Sequence, residues 1–260
     1  MKIKEILLFL QKKLNHFLFQ RFYENLYGFS LNGMGYGYGG GMETNGELKL
    51  MNYLKKNLCK KEGVIFDVGA NIGEYSFFLT KNFKNSKIYS FEPSKKTFQF
   101  LLKNTKNFSL IEPVNIGFGN KKEIKILYSN KKDSAISTLH NRKIGLKERE
   151  NVNIEKLDNF CKNRNIEKID FLKIDVEGNE LNILEGAKEM LNNKKISFIQ
   201  FEFGIRDVDS KVFFRDFWDL LHDKYNFYRI FNKGIYPINE YKEKLEIFTG
   251  MNYFCELKKS

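Results

Sequence analysis

The sequence predicts an α/β protein with a doubly wound, mostly parallel sheet and an N-terminal helical extension. Three observations predict it. From Gly63 onward, short apolar runs rich in Ile, Val and Phe alternate with stretches whose apolar residues recur at helical spacing. That alternation marks a parallel sheet covered by helices on both faces. The first strand leads through Asp67-Val68-Gly69-Ala70-Asn71-Ile72-Gly73 into a helix, with glycine where the chain must turn sharply. The second closes on Phe91-Glu92-Pro93, an acid at the carboxyl end of a strand, the edge at which such sheets bind ligands.

Ahead of the sheet, residues 2–26 read as an amphipathic helix. Ile3, Ile6, Leu7, Leu10, Leu14, Phe17 and Leu18 fall at helical spacing with lysines between them. Such a helix can touch an anionic membrane peripherally. It can equally pack on the core or on a second subunit of a homodimer, and apolar stripes are more often packed. Its apolar run, Ile6 to Leu10, is too short to span a membrane and lacks a small-residue cleavage site. Residues 33–41 interleave glycine with Tyr36 and Tyr38, which predicts a loop, either a linker or a lid over substrate. Residues 47–58 form a short helix leading into the core.

Val64-Ile65-Phe66 marks a buried first strand, and Tyr75, Phe78 and Leu79 mark the helix after it. Residues 87–91 form the second strand, and Ser94 caps a helix bearing Phe98, Leu101 and Leu102. Residues 110–115 form a third strand despite Pro113, and 124–128 an added one. Residues 129–150 read as a polar insertion. Residues 169–174 and 196–203 are the fourth and fifth core strands, with Leu184, Ala187 and Leu191 on the helix between them. Phe213, Phe217, Leu220 and Leu221 stripe another helix, and residues 226–231 and 253–257 close the sheet. The expected division is 1–58, a helical extension with a Gly-rich loop, and 59–260, one α/β domain.

Hydrophobic residues make up 42% of the chain, enough for a sizeable core. Lys and Arg number 44 against 32 Asp and Glu, a net charge of +12. A positive surface attracts nucleotide sugars, phospholipid headgroups, phosphorylated glycans or nucleic acid, though solvated lysines explain the charge equally well. Cys59, Cys161 and Cys255 offer neither a disulfide framework nor a Cys-x-x-Cys site, which suits a reducing cytoplasm.

Asp67, Gly69, Ala70, Asn71 and Gly73 are candidate cofactor-binding residues. Small residues let an extended ligand approach the backbone, and the N–H groups at the helix start can hold a carboxylate or a phosphate. The absence of Gly-x-x-x-x-Gly-Lys-Ser/Thr excludes a P-loop NTPase. Glu92 can accept both hydroxyls of a ribose, and Pro93 and Gly117 extend the same site. That acid serves NAD and S-adenosylmethionine alike. A dinucleotide fingerprint wants Gly-x-Gly-x-x-Gly, whereas this chain offers Gly69-x-x-x-Gly73, which favours a methyltransferase.

With the Asp67 to Gly73 run and Phe91-Glu92-Pro93, the stretch Lys173-Ile174-Asp175-Val176-Glu177-Gly178 resembles the FkbM family of methyltransferases. Ser134-Ala135-Ile136-Ser137-Thr138-Leu139 and Leu157-Asp158 fall where that family carries similar segments. The resemblance covers roughly residues 60–205. It implies a class I, Rossmann-like fold, S-adenosylmethionine as cofactor, and O-methylation, often of sugar hydroxyls in natural products or bacterial surface glycans.

Catalysis then asks for an aligned acceptor oxygen and a group to take its proton. Alternation puts Lys173, Asp175 and Glu177 on one side if the fourth strand stays extended that far. Asp175 reaches the edge where the strand order reverses, and Glu202 ends the fifth strand. Asp175 and Glu177 could instead cap the following helix, and Asp175 with Glu202 could hold Mg²⁺, although no dense acidic cluster supports a metal. His140 is the one histidine considered as a base.

The expected function is transfer of a methyl group to a sugar hydroxyl of a bacterial surface glycan or its nucleotide-linked precursor, in the cytoplasm or at the inner face of the membrane. An anionic acceptor suits the basic surface. Methylation of a phosphate-type oxygen in a capsule modification, an NAD-linked oxidoreductase and a non-catalytic nucleotide-binding module are the alternatives. A nucleic-acid substrate is disfavoured. There is no Asn/Asp-Pro-Pro-Tyr/Phe, and none of Pro93, Pro113 and Pro237 precedes a cysteine.

Overall fold

The computed structural model of the chain describes residues 3–37, 41, 44–58, 62–130, 133–140 and 148–259. Tyr38, Cys59 and residues 141–147 of the expected insertion lie outside these. The N-terminal segment is not one helix. α1 (Ile3–Leu14) and α2 (Gln20–Gly33) are separated at Asn15-His16 by a 3-10 turn, Phe17–Phe19. His16 caps that turn, its Nδ1 accepting from Leu18 N at 3.3 Å. Among the described side chains little of this segment packs on the core: Ile3, Phe17 and Phe29 are at least 75% exposed, and Leu31 is the buried residue of α2. Among the described residues no helix is long and apolar enough to cross a membrane.

After α3 (Glu47–Asn57) the chain alternates as expected: β1 (Gly63–Val68), α4 (Glu74–Asn82), β2 (Ser86–Phe91), α5 (Lys95–Thr105) and β3 (Ile111–Val114). Then come β4 (Gly117–Phe118), β5 (Glu123–Asn130), β6 (Asp133–Thr138) and β7 (Glu148–Glu155). The second half holds α6 (Leu157–Asn163), β8 (Ile169–Ile174), α7 (Glu180–Glu185), α8 (Lys188–Asn192), β9 (Ile196–Phe203), α9 (Ile205–Ser210) and α10 (Phe214–Leu221). β10 (Tyr225–Phe231), β11 (Gly234–Ile238) and β12 (Met251–Leu257) finish it.

The main sheet has the order β11-β10-β12-β9-β8-β1-β2-β3. β3, β2, β1, β8 and β9 are mutually parallel. β12 runs antiparallel to β9 and β10, and β11 antiparallel to β10. β10 therefore points the same way as β9. The order reverses at β1, which lies between β2 and β8, and the crevice beyond the carboxyl ends of those strands is the natural ligand site. This is the doubly wound, Rossmann-like architecture the sequence predicts. β3 is an edge strand, which is why Pro113 is tolerated there.

Successive side chains of β1 feed opposite faces. Ile65 joins Leu50, Met51 and Leu54 of α3 and Leu79 of α4. Phe66 joins Phe91, Phe160, Leu172 and Phe201 on the other face. Each such buried aromatic contributes about 1.5–3 kcal/mol.

Residues 129–150 correct the expectation of a plain insertion. The described ones, 129–130, 133–140 and 148–150, continue β5 and supply β6 and the start of β7 in a second sheet of order β4-β7-β5-β6. That sheet buries a small cluster of Leu127, Val152 and Ile154, so its strands carry little apolar signal.

Candidate functional site

The site begins where β1 meets β8. Gly69 has φ +87°, and a Cβ there would lie 1.9 Å from the Asp175 carbonyl oxygen. Asp175 N donates to Val68 O at 3.0 Å, so the two strand ends touch at a point that only glycine permits. Gly69 N and Ala70 N then donate to Phe91 O, at 3.0 and 2.9 Å, which lays the loop over the end of β2.

Glu92 holds that loop from the other side. One carboxylate oxygen accepts from Asn71 N at 3.1 Å, the other from Ser94 N at 2.9 Å. Burial pushes the carboxyl up to about 7, against the pull of these two donors. A carboxylate offers about four lone-pair sites, so each oxygen keeps capacity for a hydroxyl donor. Asn115, which the sequence reading missed, fixes the turn by donating to Glu92 O at 2.8 Å and Pro93 O at 3.0 Å.

A cavity of about 290 Å³ opens here, lined by Gly69, Asn71, Glu92, Pro93 and Gly117 at one end and by Asp175, Glu177 and Glu202 at the other. Its roof is the second sheet, through Leu127, Ser137, Leu139 and Ile154. Gly117 belongs to that sheet, on β4 beside Ile154 of β7, and a Cβ on it would come within 3.3 Å of Pro93 Cβ, so this glycine lets the second sheet lie against the Glu92-Pro93 turn. Three expected cofactor residues lie off the lining. Ala70 is buried in the loop. Gly73 seats α4 against α5, since a Cβ there would come within 2.9 Å of Leu101 Cδ1. Asp67 is fully buried beneath the loop, accepting from Ser76 Oγ at 2.6 Å, with Lys173 Nζ 3.7 Å away.

At the acidic end the strand does not stay extended. Glu177 (φ 62°) and Gly178 (φ 100°) turn left-handed, so Lys173, Asp175 and Glu177 do not form one row. Lys173 is buried, its Nζ 4.4 Å from the Tyr75 ring centroid and 3.1 Å from Asp175 Oδ2. Burial works against its charge, but the carboxylates of Asp175, Asp67 and Glu47 outweigh it and hold the ammonium above its usual range. Glu177 pairs with Arg206 of α9, and its carbonyl accepts from Thr138 Oγ1 at 2.8 Å. Neither Asp175 nor Glu177 is the cap: Glu180 accepts from Val176 N at 3.0 Å and Gly178 N at 2.9 Å and so holds the turn.

Glu202 ends β9 with its carboxylate toward Asp175 and Glu177. Burial first, then those two carboxylates, push it up to about 8, with Arg206 opposing. Gly250 lies against it, for a Cβ there would be 2.8 Å from Oε1. His140 is off the lining. Its Nε2 faces Gly178 O at 2.9 Å and its backbone N donates to Thr138 Oγ1 at 3.2 Å, tying β6 to the Glu177 turn. Tyr36 does not act as a lid residue: it is fully buried, its hydroxyl 3.2 Å from that of Tyr253. Among the described residues no three His, Cys, Asp or Glu are grouped to hold a metal ion.

Residues 67–229 match the family described as the Methyltransferase FkbM domain. Methyltransferase 1 of Beauveria bassiana is 26% identical over 148 residues, which cover 49% of this chain and 59% of that protein. Gabija protein GajB of Bacillus cereus is 27% identical over 215 residues, 77% of this chain and 29% of that protein. Hexuronic acid methyltransferase AglP of Haloferax volcanii is 22% identical over 169 residues, 64% of this chain and 67% of that protein. The chain thus spans between about a third and two thirds of the length of these relatives.

Proposed function

Because the chain belongs to the FkbM family of methyltransferases, we propose that it methylates a sugar hydroxyl of a bacterial surface glycan or of its nucleotide-linked precursor. Membership replaces the oxidoreductase and non-catalytic readings. The cofactor is S-adenosylmethionine, which when bound supplies a methyl group activated on a sulfonium. The cavity suits it on its own terms. Glu92 has lone pairs left for a ribose diol, and Gly69, which lines the cavity without a side chain, lets an extended ligand approach the loop.

The observation that carries the hydroxyl reading is Glu202. A carboxyl raised to about 8 and facing the same cavity is, in its ionised fraction, a base strong enough to take a hydroxyl proton. Asp175, charge-paired through one oxygen with Lys173, has its other oxygen for orienting the acceptor. The Glu177–Arg206 pair walls this end and holds Glu202 among charges. AglP, a hexuronic acid methyltransferase, supports a carbohydrate acceptor.

The test is incubation of the purified protein with methyl-labelled S-adenosylmethionine and panels of nucleotide sugars, oligosaccharides and RNA. Label should enter carbohydrate as an alkali-stable ether. Release of the label as methanol by mild alkali would mean a carboxylate ester, and ³¹P coupling to the transferred methyl would mean a phosphate-type oxygen; either would replace the hydroxyl acceptor. Label in RNA alone would sink the reading.

A further inference from the structure

A second cavity, of about 740 Å³, opens at the same edge of the main sheet, beyond β12. Its floor is β10, two strands or roughly 10 Å along from β9, and Arg229 shares the face of Tyr253 and Phe201, so a molecule held there reaches Glu202 on the opposite face only by crossing the carboxyl edge of the sheet. The turn at 34–37 walls it on the near side. Gly37 N donates to Gly250 O at 3.1 Å, and Gly250 in turn lies against Glu202.

Arg229 of β10 is the central group. Its register neighbours are Tyr236 on β11 and Tyr253 on β12. The guanidinium sits 5.2 Å from the centroid of the Tyr36 ring and 5.4 Å from that of Tyr236. Nη1 donates to the Tyr36 hydroxyl at a long 3.4 Å, and Nε is buried with no hydrogen-bond partner. No carboxylate pairs with Arg229 among the described residues. Lys244 and Lys242 also line the cavity, the latter paired with Glu240, so three cations meet one carboxylate.

A permanently charged guanidinium, fixed between aromatic rings and short of an acceptor, presents a planar fork of donors to an oxyanion. The exposed Tyr236 face beside it offers an apolar wall on which the C–H face of a sugar ring can pack, while the buried Tyr36 fixes the guanidinium from behind. We infer that this cavity holds an anionic sugar unit of the acceptor, one carrying a carboxylate or a phosphate, while a hydroxyl of the same molecule reaches Glu202. Its role in acceptor binding rests on the methyl-transfer reading above; the anion site itself rests on Arg229.

The test is a titration of ¹⁵N-labelled protein, saturated with S-adenosylhomocysteine, following the Arg229 Nε–H resonance. Methyl β-glucuronide, glucose 1-phosphate and neutral methyl β-glucoside are the three probes. An anionic sugar should shift the resonance saturably and the neutral one should not. Response to the glucuronide alone identifies a carboxylate site, and response to the phosphate alone a phosphate site. Arg229→Lys keeps the charge but loses the fork, and should weaken binding roughly ten- to hundredfold with S-adenosylhomocysteine affinity unchanged. Tyr236→Ala, at an exposed position, should weaken it too and guards against a folding defect. The inference is overturned if neither anionic sugar moves the resonance, if the neutral sugar binds as well, or if both variants bind like the parent. Anion binding at Arg229 without methyl transfer to any carbohydrate would leave this site standing and sink the methyl-transfer reading instead.

Discussion

The two ends of the main cavity are made of different material. The cofactor end is backbone: Gly69 pressed against the Asp175 carbonyl, two N–H groups on Phe91 O, and Glu92 bridging Asn71 and Ser94. The proposed acceptor end is charge: Asp175 on Lys173, Glu177 on Arg206, and Glu202 held among them. A backbone cradle can hold a cofactor of fixed shape and fails when a Cβ intrudes. A carboxylate cluster can move a proton and fails when one charge is neutralised. Substitutions at the two ends should therefore fail in different measurements.

The largest effect is expected at Glu202. Glu202→Gln keeps the shape and removes the proton acceptor, so kcat should fall about 10²- to 10⁴-fold. S-adenosylhomocysteine affinity, read by calorimetry, should stay near the parent value. Glu202 must be ionised to accept a proton, so the parent rate should climb with pH and level off above about 8, and the variant should lose that slope. The sign for stability is opposite. Between the unfolded carboxyl range and about 8 the folded chain keeps a proton that the unfolded chain releases, so stability falls as pH rises across that window. Thermal unfolding of Glu202→Gln should show a shallower fall, the remainder coming from Glu92 and the other buried carboxyls held above their usual range. A parent-like rate in the variant would move the base to Asp175 and erase the proposed division of labour.

The same contrast explains what was legible in the sequence. The loop and Glu92 could be read because a sharp turn and a strand end leave few residue types to choose from. Even so, Gly73 lies off the cavity lining and seats α4 against α5, a constraint that spacing alone does not reveal. At the acidic end Asp175, Glu177 and Glu202 could be nominated from strand ends. Their geometry could not be read, since it depends on left-handed backbone at Glu177 and on partners as distant as Arg206 and Gly250. Of the roof, β5 was legible as the added strand 124–128, but β7 was not, because it buries only Val152 and Ile154 among alternating polar residues. The Ser134 to Leu139 segment was the usable signal there, for Ser137 and Leu139 line the cavity.

The second effect tests the backbone end. Gly69→Ala must displace the Asp175 carbonyl and adopt φ +87°, a strain of about 1–3 kcal/mol for the backbone alone. The midpoint of thermal unfolding should drop, and S-adenosylhomocysteine binding should weaken more than it does in Glu202→Gln. Stability and binding both at parent level would mean that the strand ends are not in contact at Gly69.

The smallest effect is also the sharpest, because Glu92 joins the two materials: a side-chain charge serving a backbone cradle. Ribose hydroxyls donate hydrogen bonds, and they donate better to the ionised carboxylate than to the neutral acid. The free protein holds that carboxyl at about 7, so near neutrality part of the population carries a proton that cofactor binding must expel. Affinity for S-adenosylhomocysteine should therefore rise with pH through about 7 and then flatten, and calorimetry in buffers of different ionisation enthalpy should register proton release on binding. Glu92→Gln keeps an acceptor oxygen for one backbone donor but has no charge to gain. It should bind about 1.5–3 kcal/mol more weakly and show neither the pH slope nor the proton release. If the variant binds weakly yet keeps the slope, the titrating group lies elsewhere in the cavity. Glu92 would then act only as the clamp on Asn71 and Ser94, and the cofactor end would be backbone throughout.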